Sequence, residues 1–150
     1  MRMTFELELP RDVISIPITR HLARNAMRAV GVADDCVGDV ELALTEACTN
    51  VLDHAGPADA YAVHLTIDGP TCSIRIVDVG DGFDALGAGT VPAEPGAETG
   101  RGIALMRALM DQVRFESGPE AGTVVHLHKQ LVFADDAPLV GPSAGEVPDT

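Results

Sequence analysis

The chain has 150 residues, 46% of them hydrophobic and 3% aromatic, which suits one domain around a mainly aliphatic core. A formal charge of −13 excludes a general surface for nucleic acid or anionic membrane, because phosphate contacts need clustered Lys and Arg. No apolar run approaches the ~18 residues of a membrane span, the N-terminus lacks a signal-peptide core, and Cys36, Cys48 and Cys72 show no CxxC spacing. They read as reduced, buried thiols of a cytoplasmic protein.

Thr4 to Leu9 alternates, with Phe5, Leu7 and Leu9 on one face and Glu6 and Glu8 on the other, which predicts a half-buried strand stopped by Pro10. Ser15 is expected to cap a helix whose core stripe is Ile18, Leu22, Ala26 and Val30, and Gly31 ends it. Arg20, Arg24 and Arg28 form a basic ridge on that helix, which spacing alone reads as a solvated face. Asp34 or Asp35 then caps a second helix running to about Ala55, with Val37, Val40, Leu44, Ala47/Cys48 and Val51 as its stripe. Gly56-Pro57 breaks it.

Tyr61, Val63, Leu65 and Ile67 alternate as a strand, Asp68-Gly69-Pro70 turns, and Cys72 to Val79 returns as its antiparallel partner. Gly, Pro and Ala dominate the stretch from Gly80 to Gly100, a long loop of the kind that is functional or disordered. Helical spacing resumes with Ile103, Met106 and Leu109/Met110, and Val113 to Ser117 and Thr123 to Leu131 form a last pair of strands. The tail 134–150 has three prolines, four acids and no basic residue, and is expected to be disordered beside a domain spanning 1–133. Locally paired strands with helices grouped between them predict an α+β fold: a two-layer α/β sandwich with helices on one face of a mixed, mainly antiparallel sheet.

Five places could carry chemistry. Glu46 and Asn50 are neighbours one turn apart on the second helix, away from its apolar stripe; such a pair can hold a hydrated cation or orient a nucleophile, or be a plain solvated face. Asp78 shares strand parity with Cys72, Ile74 and Ile76, so it points inward ahead of Gly80 and Gly82, where a buried carboxylate needs a partner such as a purine amine or its own loop. Thr99-Gly100-Arg101-Gly102 stands before the third helix, where free N–H groups and an arginine suit phosphate. Thr123 shares parity with Val125 and Leu127, so its hydroxyl can enter the same pocket as Asp78. His126 and His128 share a strand face, as two metal ligands would, without a third ligand in the sequence.

Taken in order, Glu46/Asn50, Asp78-x-Gly80-x-Gly82, Gly100-x-Gly102 and Gly122-Thr123 resemble the GHKL ATP-binding fold. Within it, Glu-Ala-Cys-Thr-Asn, Gly-Arg-Gly-Ile and Gly-Thr-Val-Val look like the bacterial anti-sigma factor serine kinases, over about residues 4 to 131. The resemblance implies that Asn50 binds the Mg²⁺ bridging the ATP phosphates and that Glu46 is the general base. Asp78 would receive the adenine amine with help from Thr123, Gly80 and Gly82 would shape the pocket, residues 83–99 would be a lid, and Thr99, Gly100, Arg101 and Gly102 would meet the phosphates. It further implies a sigma factor and an anti-sigma factor antagonist as partners, Arg20 as a partner-binding residue, and a homodimer. The alternative within the resemblance is a nucleotide-binding partner-switching module with little or no kinase activity. Gly56-Pro57 and the Gly/Ala/Pro-rich lid depart from the family pattern without removing a catalytic residue.

Overall fold

Alternating polarity builds the sheet as expected. In the computed structural model, which describes residues 1–54, 60–79, 97–118 and 122–134, β1 (Arg2–Pro10) pairs with β2 (Ala60–Asp68), and β2 turns through Gly69 (φ +57°) into β3 (Thr71–Val79). β4 (Gln112–Gly118) and β5 (Gly122–Gln130) form the last hairpin, and β5 inserts beside β3 to give the order β1-β2-β3-β5-β4. Every neighbouring pair is antiparallel, so the expected mixed sheet has no parallel pair among the described strands.

The inner face carries Leu9, Tyr61, Val63, Leu65, Ile67, Cys72, Ile74, Ile76, Val125 and Leu127, all buried. Helices α1 (Ser15–Ala29), α2 (Asp34–His54) and α3 (Ala97–Leu109) supply the other layer, and α2 contacts both other helices. The expected α2 stripe holds: Val37, Val40, Leu44, Ala47, Cys48 and Val51 are buried. So are Ile103, Met106 and Met110 from α3 and the residue after it. The two-layer α+β architecture is therefore present.

Helix α1 sits differently from the expected stripe. Its buried residues are Ser15, Thr19, Ala23 and Met27, whereas Ile18 and Leu22 are 45% and 39% exposed. The buried side is thus mainly small and hydroxyl-bearing, and its hydroxyls are hydrogen-bonded. Ser15 Oγ lies 2.5 Å from the Tyr61 hydroxyl and donates to the Asp12 carbonyl, and Thr19 donates to the Ser15 carbonyl. Ser15 is thus the first helical residue and makes no cap; instead Asp12 accepts from the Ile14 N–H. The other end follows expectation. Gly31 (φ 92°) sits one residue past the C-cap, with Val32 N–H bonded to the Met27 carbonyl and Gly31 N–H to that of Arg28, a Schellman closure. The Gly56-Pro57 break, the 83–96 part of the expected lid and the tail beyond Ala134 lie outside the described residues.

Candidate functional site

Asp78 is the last inward-facing residue of β3, level with Tyr61 on β2 and, through it, Leu9 on β1. It is 1% exposed, and neither carboxylate oxygen has a hydrogen-bond partner among the described residues. Leaving a carboxylate buried and unsatisfied is costly, so such a group marks a place where a ligand donor is missing. Burial pushes its carboxyl above the usual range, and the Arg11 guanidinium pulls in the opposite direction. The partner sought by the parity argument is therefore not supplied by the described protein atoms.

A second orphan lies on α2. Asn50 is half-buried like Glu46, but its Oδ1 is buried without a hydrogen-bond partner among the described residues. One turn earlier, half-buried Glu46 lies against α3: a Cβ built on Gly102 would meet Glu46 Oε1 at 2.7 Å. Only a glycine leaves that carboxylate where it is. Two unpaired acceptors, Asp78 at a strand end and Asn50 on the helix above, with a carboxylate beside the second, suit a ligand with an amine at one end and a cation-bound anion at the other. An amide oxygen such as Asn50 Oδ1 fits Mg²⁺, which takes few protein oxygens when phosphates and waters complete its shell. Among the described residues no cluster of three or more His, Cys, Asp or Glu forms a metal site, so His126 and His128 gain no third ligand. His126 instead lies 3.4 Å from Glu116.

The glycine segment is placed differently from its expected position ahead of a helix. α3 begins at Ala97, so Thr99 and Gly100 are in its first turn and Arg101 and Gly102 follow inside it. The first four N–H groups of the helix, those free to meet an anion, therefore end at about Gly100. Arg101 is exposed, and Gly102 is explained by its contact with Glu46. Gly80, Gly82 and the side chains of Thr99 and Thr123 lie outside the described residues; the backbone of Thr123 belongs to β5. The β3–β5 register runs as far as Val77↔Val124, the residues just before Asp78 and just after Thr123.

Arg20 is half-buried, with Nη1 3.4 Å from Thr45 Oγ1, next to Glu46 in sequence. Arg24 pairs with Glu41 at 2.6 Å and Arg28 with Asp34 at 3.7 Å, so the arginine ridge leans on α2 and is not a freely solvated face. Sequence reasoning passed over Arg11. Its Nη2 donates to the carbonyls of Val51 (3.0 Å) and Leu52 (2.7 Å), directly after Asn50. The available signal was parity: Arg11 continues the inward-facing series of Phe5, Leu7 and Leu9 past Pro10. Tyr61 and Cys48 form a second buried polar contact beside the site. Burial holds both in the neutral form, pushing the Cys48 thiol up to about 12.

Comparison with known proteins agrees with this geometry. The family described as "Histidine kinase-like ATPase domain" matches residues 9–129. The chain is 30% identical over 139 residues to the serine-protein kinase RsbW of Halalkalibacterium halodurans, covering 85% of this chain and 83% of that one. It is also 30% identical over 137 residues to RsbW of Bacillus licheniformis, covering 84% of each. A crystal structure of the RsbU and RsbW domains of a Mycobacterium tuberculosis protein superposes with a TM-score of 0.67 at 18% identity, over 91% of this chain and 36% of that one, a likeness of fold. No helix of the described residues is long and apolar enough to cross a membrane. The chain belongs to the histidine kinase-like ATPase domain family and, within it, to the bacterial anti-sigma factor serine kinases typified by RsbW.

Proposed function

We propose that this chain uses ATP to phosphorylate a serine of an anti-sigma factor antagonist and, in its other role, sequesters a sigma factor in the cytoplasm. The observation that carries the reading is the pair of buried, unpartnered acceptors, Asp78 and Asn50, with Glu46 one turn from Asn50. Asp78 would accept the exocyclic amine of adenine, which replaces the hydrogen bonds its oxygens lack. Asn50 would hold Mg²⁺, which supplies charge neutralisation on the phosphate oxygens. Glu46 would take the proton of the acceptor serine as its oxygen bonds to the γ-phosphorus and ADP leaves. Arg101, with the free N–H groups at the start of α3, would meet the phosphates.

Support for a protein partner comes from α1. Ile14, Ile18 and Leu22 recur every four residues and are exposed, and Arg20 lies on the same helix. An apolar strip of that kind on a surface helix suits docking of another protein. Homodimer formation is part of the reading; β1 is an edge strand with one side open among the described residues.

The test is incubation of the purified chain with labelled ATP, Mg²⁺ and the antagonists encoded in its own genome, scoring transfer and sigma binding together. Wild type should transfer phosphate to a serine, and Glu46→Ala should lose transfer while keeping nucleotide and sigma binding. Nucleotide and sigma binding without transfer to any antagonist would leave a partner-switching module in place of a kinase.

A further inference from the structure

Arg11 binds the end of α2 directly and acts on Asp78 through its charge. α2 is described to His54, so the carbonyls of Val51 and Leu52 belong to its last described turn, at the negative end of the helix dipole. One guanidinium nitrogen, Nη2, caps both. This fixes the turn immediately after Asn50, whose own oxygen is left free of protein partners. The same residue starts two positions beyond Leu9, and the sheet register runs from Leu9 through Tyr61 to Asp78. The positive charge is thus rooted at the end of the sheet where Asp78 is buried.

Of the described groups, Arg11 is the one whose charge acts on Asp78. Tyr61, facing Asp78 across the β2–β3 ladder, and Cys48, against Tyr61 from α2, are kept neutral by burial. Burial alone favours protonated Asp78, in which one oxygen carries a hydrogen and no longer serves as an anionic acceptor.

We propose that Arg11 is a positioning residue of the nucleotide site, clamping the last turn of α2 to aim Asn50 and supplying the counter-charge for Asp78, which has no hydrogen-bond partner among the described residues. The proposal rests on the nucleotide reading above. Its two functions separate by chemistry. Lysine keeps the charge but cannot reproduce the guanidinium fork, and methionine keeps the apolar stem and loses both.

The experiment measures ADP binding to the full chain by calorimetry from about pH 6 to about pH 8, to read how binding is linked to proton uptake. Wild type should bind with little change across that range. Arg11→Met should bind roughly tenfold more weakly, with the loss growing as pH falls and Asp78 takes up a proton. Arg11→Lys should recover the flat profile without the full affinity, and the pH slope of Arg11→Met should vanish when combined with Asp78→Asn. An Arg11→Met variant with unchanged affinity, or with the same loss at every pH, overturns the proposal while leaving the nucleotide reading intact. Wild type that binds no ADP overturns both. Should Arg11→Met fail to fold, the wild-type Asp78 carboxyl resonance decides: ionised at neutral pH upholds the role, protonated overturns it.

Discussion

A methyl group on Gly102 would stand 2.7 Å from Oε1 of Glu46, well inside contact distance, so α3 and the candidate base of α2 share a single space. The obstructed atom is the far end of a flexible side chain, which can swing away. Gly102→Ala should therefore leave the fold intact, with the helix gaining up to about 1 kcal/mol from alanine's propensity. Misplacing a reacting group by about 1 Å can cost on the order of a hundredfold in rate. Phosphoryl transfer should thus fall steeply while ADP affinity changes little. Equal losses in both would show that Gly102 serves the phosphates and not Glu46.

Asp78 sets binding against stability. Burial raises its folded pKa above the unfolded value of about 3.9. The fold therefore favours the protonated form: this contribution is full below the unfolded pKa and is lost as pH rises through the folded one. At neutral pH without nucleotide, Asp78→Asn should melt higher than wild type, by roughly 2–4 °C for each kcal/mol recovered. The difference should shrink as pH is lowered. The same variant should show a smaller nucleotide-induced shift than wild type, whose stabilisation at a hundredfold excess over Kd is about 2.7 kcal/mol. A melting temperature below wild type at pH 7 would contradict this assignment.

Asn50 and the cation should be separable from adenine recognition. Asn50→Ala removes a buried oxygen that has no protein partner, so apo stability should change by no more than about 1 kcal/mol. Mg²⁺-dependent tightening of ATP binding should disappear, leaving an affinity close to that of wild type in EDTA. Titrations of both proteins with and without Mg²⁺ measure it.

The register of α1 gives opposite expectations for neighbouring positions. Ser15→Ala removes one hydrogen bond of the buried Tyr61 hydroxyl and should cost about 1 kcal/mol, and Ala23→Leu overpacks a fully buried position at about 1–3 kcal/mol. Ile18→Glu, on the exposed strip, should change stability by less than about 0.5 kcal/mol and weaken partner capture instead. Urea melts with a pull-down of the cognate sigma factor distinguish the two classes.

Where polarity alternated or recurred cleanly, the sequence was enough. β1, β2, β3 and the α2 stripe follow their periodicity, and strand parity alone buried Asp78. α1 misled because its inward side is Ser15, Thr19, Ala23 and Met27, while Ile18 and Leu22 face solvent. A stripe chosen by hydrophobicity assumes that the most apolar residues are buried, whereas here Ser15 and Thr19 are buried because their hydroxyls are hydrogen-bonded. Gly102 was legible as a required glycine, but its cause, a carboxylate on another helix, depends on tertiary packing that spacing cannot contain. Arg11 was missed because no motif includes it; its partners are backbone carbonyls forty residues away.

Cys48 lies between Glu46 and Asn50 on α2, buried and held as a neutral thiol. Alkylating reagents attack the thiolate, so in the closed protein this sulfur is protected both sterically and electronically. Modification then requires α2 to lift from the sheet, and the labelling rate becomes a clock for that opening. Cys72, on β3 and protected in the same way, times the sheet in the same tube. The chain carries its own two-channel reporter of which layer loosens first.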